Sequence, residues 1–149
     1  CTAATQLIMT SLYPYIFDSK KKGVKVMACT VAGDLHEIGI RMLSDVFELN
    51  GWDTYYMGAS MPDNSIITAL KEHQVNVLAI SATMPIHISK VERLIKKIRS
   101  EETLVKLKII VGGYPFNLDP ELWNYVGADA SAKDAREAVL KANQMISLN

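Results

Sequence analysis

Short apolar, β-branched runs alternate with segments of helical spacing along almost the whole chain, and this alternation limits the fold more than any other feature. The runs fall at 24–30, 53–57, 75–81 and 107–111, with a brief edge strand at 128–130. Helices are predicted at 38–50, closed by Gly51, from 62 to about 73, at 87–103, over a short span from Asp119-Pro120, and at 133–147. In the 87–103 segment, Val91, Leu94, Ile95 and Ile98 share one face, while Lys90, Arg93, Lys96, Lys97 and Arg99 largely hold the other. Strict alternation with short connections implies right-handed crossovers and a parallel sheet covered on both sides. The expected class is therefore α/β, a flavodoxin-like (Rossmann-like) five-stranded parallel sheet of order 2-1-3-4-5. Its ligand crevice opens between the first and third strands, where the order reverses. Ahead of it, residues 2–17 have helical spacing through Leu7, Ile8, Leu12, Tyr15 and Ile16, with Pro14 as a kink. Residues 1–22 are read as a helix and polar linker, and 23–149 as the ligand-binding domain.

Sixteen basic and sixteen acidic residues cancel over the 149 residues. No long-range positive field is available, so direct nucleic-acid binding and attachment to an anionic membrane are not expected. The run Lys20-Lys21-Lys22 reads as solvated linker. No apolar run reaches the ~18 residues of a membrane span, and the N-terminus lacks the layout of a secretion signal. Cys1 and Cys29 have no paired spacing, which indicates neither a disulfide framework nor a thiolate zinc site and fits a reducing cytoplasm. Because the chain starts with Cys1, it is expected to be a fragment of something longer.

The chemically distinctive residues cluster at the carboxyl ends of the strands. Gly33-Asp34-Leu35-His36-Glu37-Ile38-Gly39 follows the first strand, Ser81-Ala82-Thr83-Met84-Pro85 the third, and Gly112-Gly113-Tyr114-Pro115 the fourth. The second ends in Gly58-Ala59-Ser60-Met61-Pro62, with nothing ionisable. His36 offers one imidazole, and Asp34 is placed to hold its far nitrogen. A zinc or iron site needs further converging ligands, but only His73 and His87 remain, and both are expected at the surface. A metal already ligated by a macrocycle needs only one protein bond, which points to haem or a corrinoid. Taken singly, His36 could be a polar turn residue, Ser81 and Thr83 strand-end hydroxyls, and Gly112-Gly113 a plain turn. Met57, Met61 and Met84 read as adaptable core filler, and Trp52 and Trp123 as packing. Glu37 suits the positive end of a helix dipole.

Asp34-x-His36-x-x-Gly39, then Ser81-x-Thr83, then Gly112-Gly113, resemble the DxHxxG…SxL…GG signature of the cobalamin-binding domain. That family includes methionine synthase, corrinoid methyl carriers, base-off mutases and B12-dependent light-sensing regulators. The resemblance runs from about residue 24 to the end, with Thr83 where the family often has Leu. It implies that His36 is the lower axial cobalt ligand in place of the cofactor's own base, with Asp34 completing a cobalt–His–Asp chain and Leu35, Glu37 and Ile38 alongside. Gly39 would leave room for the displaced tail, and Ser81 would contact its benzimidazole. Thr83, Met84 and Pro85 would line the tail tunnel or corrin edge, and Gly112, Gly113 and Tyr114 would let the nucleotide pass. Ala128, Asp129 and Ala132 match the segment that closes over the far end. The segment 2–17 resembles the last helix of a helical cap domain.

The segments 35–42 and 51–58 are similar to stand-alone and regulatory B12-binding proteins. The resemblance thus implies a sensory or regulatory module binding adenosyl-, methyl- or hydroxocobalamin, with no activity alone and a protein partner, either regulatory or a methyltransferase. The alternative is a corrinoid protein carrying methyl groups between methyltransferases, followed by a mutase subunit. Other ligand classes fit less well. A phosphoacceptor receiver needs an acidic cluster and an aspartate where Ser81 stands, and no GxGxxG or GxxxxGK[ST] occurs; a flavin-binding domain is the runner-up outside the corrinoids, with Thr30-Val31-Ala32-Gly33 a poor version of its hydroxyl-rich loop.

Overall fold

A computed structural model describes residues 20–147 together with 3–4, 7–8, 10–11 and 14. The seven isolated positions are helical, and the rest of the expected 2–17 helix lies outside the described residues. The strands are β1 (Lys25–Val31), β2 (Asp53–Met61), β3 (Val77–Ser81), β4 (Lys108–Gly112) and β5 (Ala130–Ala132). The helices are α1 (Ile38–Leu49), α2 (Asp63–His73), α3 (Ile88–Arg99), α4 (Tyr114–Leu118), α5 (Leu122–Tyr125) and α6 (Ala135–Ser147). All neighbouring strands pair in parallel, in the order β2-β1-β3-β4-β5. This is the flavodoxin-like arrangement that the alternation predicts.

Because the strands are covered on both faces, alternate residues of one strand enter different cores. Met27 and Cys29 of β1, with Leu78 and Ile80 of β3, pack with Ile66, Leu70, Val91, Leu94, Ile95 and Ile98 of α2 and α3. Val26, Ala28, Val77 and Ala79 face the other way, toward Ile40, Phe47, Ala138 and Ala142 of α1 and α6. Trp52 closes that second core: Phe47 meets it edge-on at 5.2 Å between ring centroids, and its indole N–H donates to Asn143 Oδ1. Burial pushes the Cys29 thiol up to about 12, so it is an inert core residue.

Several boundaries differ from the sequence expectation. β2 continues to Met61 through an irregular pairing with β1 after Ala28, and the chain crosses Gly58 and Ser60 with positive φ. Helix α3 stops at Arg99, and a separate 3₁₀ turn follows at Glu102–Leu104. Helix α4, directly after Gly113, was not anticipated, and β5 lies two residues later than expected. Lys21 of the expected solvated linker pairs with Glu48.

Candidate functional site

Register brings the carboxyl edge into line. Thr30 pairs with Ser81, Ser81 with Gly112, and Gly112 with Ala132, so one row crosses four strands. Above the β1 end of this row, the chain turns through Gly33 (φ +90°), and the Asp34 N–H closes the turn on Val31 O. The turn is clamped from two sides. Buried Thr30 donates its hydroxyl to Asp34 O at 2.7 Å and accepts the Ser60 N–H at 2.8 Å, while Ser60 Oγ accepts the Gly33 N–H at 2.9 Å. Ser60 holds a left-handed φ of +54°, costly for a residue with a side chain, and is held there by these bonds. Ser60 carries no charge, so its part in this clamp leaves no mark in the pattern of ionisable residues along the sequence.

Asp34 is completely buried. Its Oδ1 accepts the His36 backbone N–H at 3.1 Å and lies 2.9 Å from His36 Nδ1, and its Oδ2 accepts the Thr83 N–H at 2.8 Å. Burial pushes the carboxyl pKa up, but the N–H donors of His36 and Thr83, the His36 ring and the nearby His87 outweigh it and hold it below the ordinary range. A charged Oδ1 fixes the proton of His36 on Nδ1 and leaves Nε2 as a lone-pair donor. The His36 side chain is 58% exposed. One outward-facing imidazole nitrogen is thus backed by a buried carboxylate.

Beneath the row lies a groove of about 220 Å³ between the sheet edge, α1 and the start of α6, lined by Gly39, Leu43, Ser81, Gly112, Gly113 and Ala135. A methyl group at Gly39 would touch nothing within 4 Å, so this glycine leaves the groove mouth open. At Gly113 (φ +111°) a Cβ would stand 2.0 Å from Ala82 O, and at Gly112 one would stand 3.0 Å from Ala132 O. These two glycines are demanded first by the chain's own backbone. In the segments that follow β1, β3 and β4, the apolar Leu35, Met84, Ile86 and Tyr114 are exposed. Met84 is therefore not core filler, whereas Met57 and Met61 pack against the core as expected. Glu37 sits just before α1 and accepts the Tyr56 hydroxyl at 3.3 Å, and Ile38 opens the helix. A larger hollow, about 870 Å³, opens at the opposite sheet edge beside Asn76 and Lys108, away from these groups.

One further expectation fails. His87 is buried rather than superficial, because the 3₁₀ turn Pro85–His87 carries it under the β1 loop, with Nδ1 3.4 Å from Asp34 Oδ2. Asp129 lies just before β5, on the far edge of the sheet, where it pairs with Arg99 at 2.7 Å and accepts the Ile109 N–H. Ala128 beside it is core. Of that segment, only Ala132 reaches the row and the groove. His73 is half-buried and stacks on Tyr55.

The site suits a metal that brings most of its own donors and a side arm: one exposed imidazole, exposed apolar residues in the segments at the same sheet edge, and a glycine-lined groove. Residues 24–141 match the family model of the B12 binding domain. The chain is 32% identical over 130 residues, 87% of its length, to dimethylamine corrinoid protein 1 of Methanosarcina mazei, and spans 58% of that relative. The solved Methanosarcina barkeri monomethylamine corrinoid protein superposes with a TM-score of 0.80 at 25% identity, covering 91% of this chain and 64% of that one. The methanol:cobalamin methyltransferase complex MtaBC from the same organism shares the fold, with a TM-score of 0.76 at 19% identity over 89% of this chain and 50% of that one. With the motif, the sheet order and the family match in agreement, this chain belongs to the B12 binding domain family and takes cobalamin as its cofactor.

Proposed function

We propose that this domain is a corrinoid methyl carrier in which His36 Nε2 is the lower axial cobalt ligand and the displaced nucleotide tail occupies the groove beneath Ser81, Gly112 and Gly113. The observation that carries the reading is the exposed His36 ring whose other nitrogen is held by fully buried Asp34. Asp34 orients the imidazole and raises its donor strength, Gly39 keeps the groove open, and Leu35, Met84 and Tyr114 offer apolar contact to a flat ring. When bound, cobalamin supplies a cobalt centre that accepts and gives up a methyl group. The protein keeps that centre at an accessible sheet edge. The similarity to corrinoid proteins named for dimethylamine and monomethylamine supports carriage over the sensory module implied by the sequence resemblance. The partner is then a methyltransferase acting on a small methylated compound, and residues 1–22 are the end of a helical cap.

Two measurements test this. Cobalt(II) bound to protein labelled with ¹⁵N-histidine is expected to show an electron-paramagnetic nitrogen splitting that changes with the label and disappears in His36→Ala. A splitting insensitive to the label would overturn the ligand assignment. Loaded protein incubated with labelled dimethylamine and a corrinoid methyltransferase is expected to take up the methyl label. No uptake, together with a light-dependent change in assembly, would overturn carriage in favour of sensing.

A further inference from the structure

The peptide unit between Ala32 and Gly33 is pinned at both of its polar ends by side chains from two different elements. Its carbonyl accepts from Lys90 Nζ of α3 at 2.7 Å, and its N–H donates to Ser60 Oγ of β2 at 2.9 Å. A Cβ on Gly33 would stand 2.7 Å from Lys90 Nζ, so the lysine lies directly against the unit. That unit is the middle of the turn from Val31 to Asp34, closed by the Asp34 N–H on Val31 O at 3.0 Å, with Gly33 at φ +90° and no positive φ at Ala32. This is the type II form, and a type I turn differs from it chiefly by a half-rotation of the same middle peptide. Such a rotation would carry the carbonyl away from Lys90 and the N–H away from Ser60. Ser60 reaches its place through a bulge: between Cys29 and Val31, β1 advances two residues while β2 advances three, from Gly58 to Met61. The edge strand thus uses an extra residue, held at a left-handed φ of +54°, to set one hydroxyl against one N–H. Strain kept in place by its surroundings is a reason to look for a function.

Resting on the cobalamin reading, we propose that Ser60 and Lys90 are positioning residues that lock the 31–34 turn in its type II form and so hold His36 Nε2 at the angle at which it meets cobalt. Neither lies in the DxHxxG, SxL or GG motifs. Asp34 is the last residue of the turn, and its carbonyl receives both the Thr30 hydroxyl at 2.7 Å and the Ser60 N–H at 3.0 Å. Rotating the middle peptide changes the direction in which Asp34 leaves the turn. The Asp34 carboxylate is tied to His36 through Oδ1 and to Thr83 through Oδ2, so the imidazole follows any movement of the turn. A ligand atom has to stay within about 0.5 Å of its productive position. Two side chains that touch no cofactor therefore govern the bond by fixing one peptide plane.

The test has one arm without cofactor and one with it. In cofactor-free protein, Gly33 is exposed, so slow hydrogen exchange of its N–H, followed by NMR, reports the bond to Ser60. Lys90→Met leaves that acceptor untouched and removes only the pin at the opposite end of the peptide. It is expected to speed Gly33 exchange about fivefold or more, the effect of losing one hydrogen bond, and Lys90→Arg is expected to restore the parent rate. A Gly33 rate in Lys90→Met equal to the parent's would overturn the lock, whatever the fate of the cobalamin reading. In protein loaded with cobalt(II) cobalamin, Ser60→Gly removes the hydroxyl while relieving the left-handed strain, so the melting temperature holds or rises. The share of the electron-paramagnetic signal that lacks a nitrogen splitting is nevertheless expected to rise about threefold or more, because His36 loses its fixed aim. A share equal to the parent's would overturn the positioning role. A parent signal with no nitrogen splitting at all would overturn the proposed function and the cobalt step with it, while the exchange rates still decide the lock.

Discussion

Gly113→Ala is the substitution whose cost the structure defines best. Gly113 has φ +111° and ψ 175°, a region that only glycine occupies readily, so a side chain there costs about 1–3 kcal/mol in backbone strain. The added methyl would also stand 2.0 Å from Ala82 O, about 1.4 Å inside ordinary contact, and the atom opposing it is main chain that cannot rotate away. Parting the loops after β3 and β4 strains the Ala82 N–H bond to Gly112 O at 3.0 Å and adds an overpacking cost of about 1–3 kcal/mol. Loss of unfolded-state entropy works the other way, but by only about 0.4–1 kcal/mol. The net expectation is a loss of about 2–5 kcal/mol. With a urea slope near 2 kcal/mol/M, the midpoint of unfolding should fall by roughly 1–2.5 M. A midpoint within about 0.3 M of the parent would show that the 82 and 113 backbones can separate freely, and would refute the argument.

Gly39→Ala makes the complementary case: the methyl meets nothing in the protein and suits α1, so stability should hold or rise by about 0.5 kcal/mol, while cobalamin affinity, measured by spectral titration, falls roughly tenfold as the groove mouth narrows. Asp63, buried at the start of α2, is pushed up by burial but held below the ordinary carboxylate range by Arg93 at 2.9 Å and Lys97 at 3.0 Å. Since its folded pKa is depressed, its contribution is full above pH ~4 and disappears as pH falls through the lowered native value. Asp63→Asn should cost about 1–2 kcal/mol at pH 7, because both cations are half-exposed and regain water, and its thermal melting point should decline less than the parent's on acidification below pH ~4.

The sheet was legible because Val77–Ser81 and Lys108–Gly112 are fixed by two buried faces, and nothing but a central parallel strand suits such apolar runs. The Asp34–His36 pair was legible because two residues of separation on an extended turn bring carboxylate and ring together without help from the rest of the fold. His87 was not, since a histidine opening a charged helix reads as solvent-facing. What buries it is the β1 loop, fifty residues earlier in sequence and clamped by Ser60 from the edge strand. The position of Asp129 was not legible for the opposite reason: a short acidic segment near β5 fits either sheet edge, and it pairs with Arg99, thirty residues away. Local spacing carries local contacts, whereas burial by a distant loop leaves no periodic trace.

The same distinction explains why the imidazole stands where it does. Strands β1 and β3 are neighbours, but their crossovers leave toward opposite faces of the sheet, so the loops that follow them part and open the crevice. Nothing in the ladder bonds holds those two loops in register beyond Thr30 and Ser81. Asp34 does so: one oxygen takes both N–H groups of His36, and the other takes the Thr83 N–H from across the gap. A buried carboxylate is costly unless several donors surround it, and here the donors belong to two different loops. The charge is therefore satisfied only when the crevice has its native width. Satisfying Asp34 and aiming His36 Nε2 outward are one event, and the orientation of the exposed nitrogen is set by the fold before any ligand arrives.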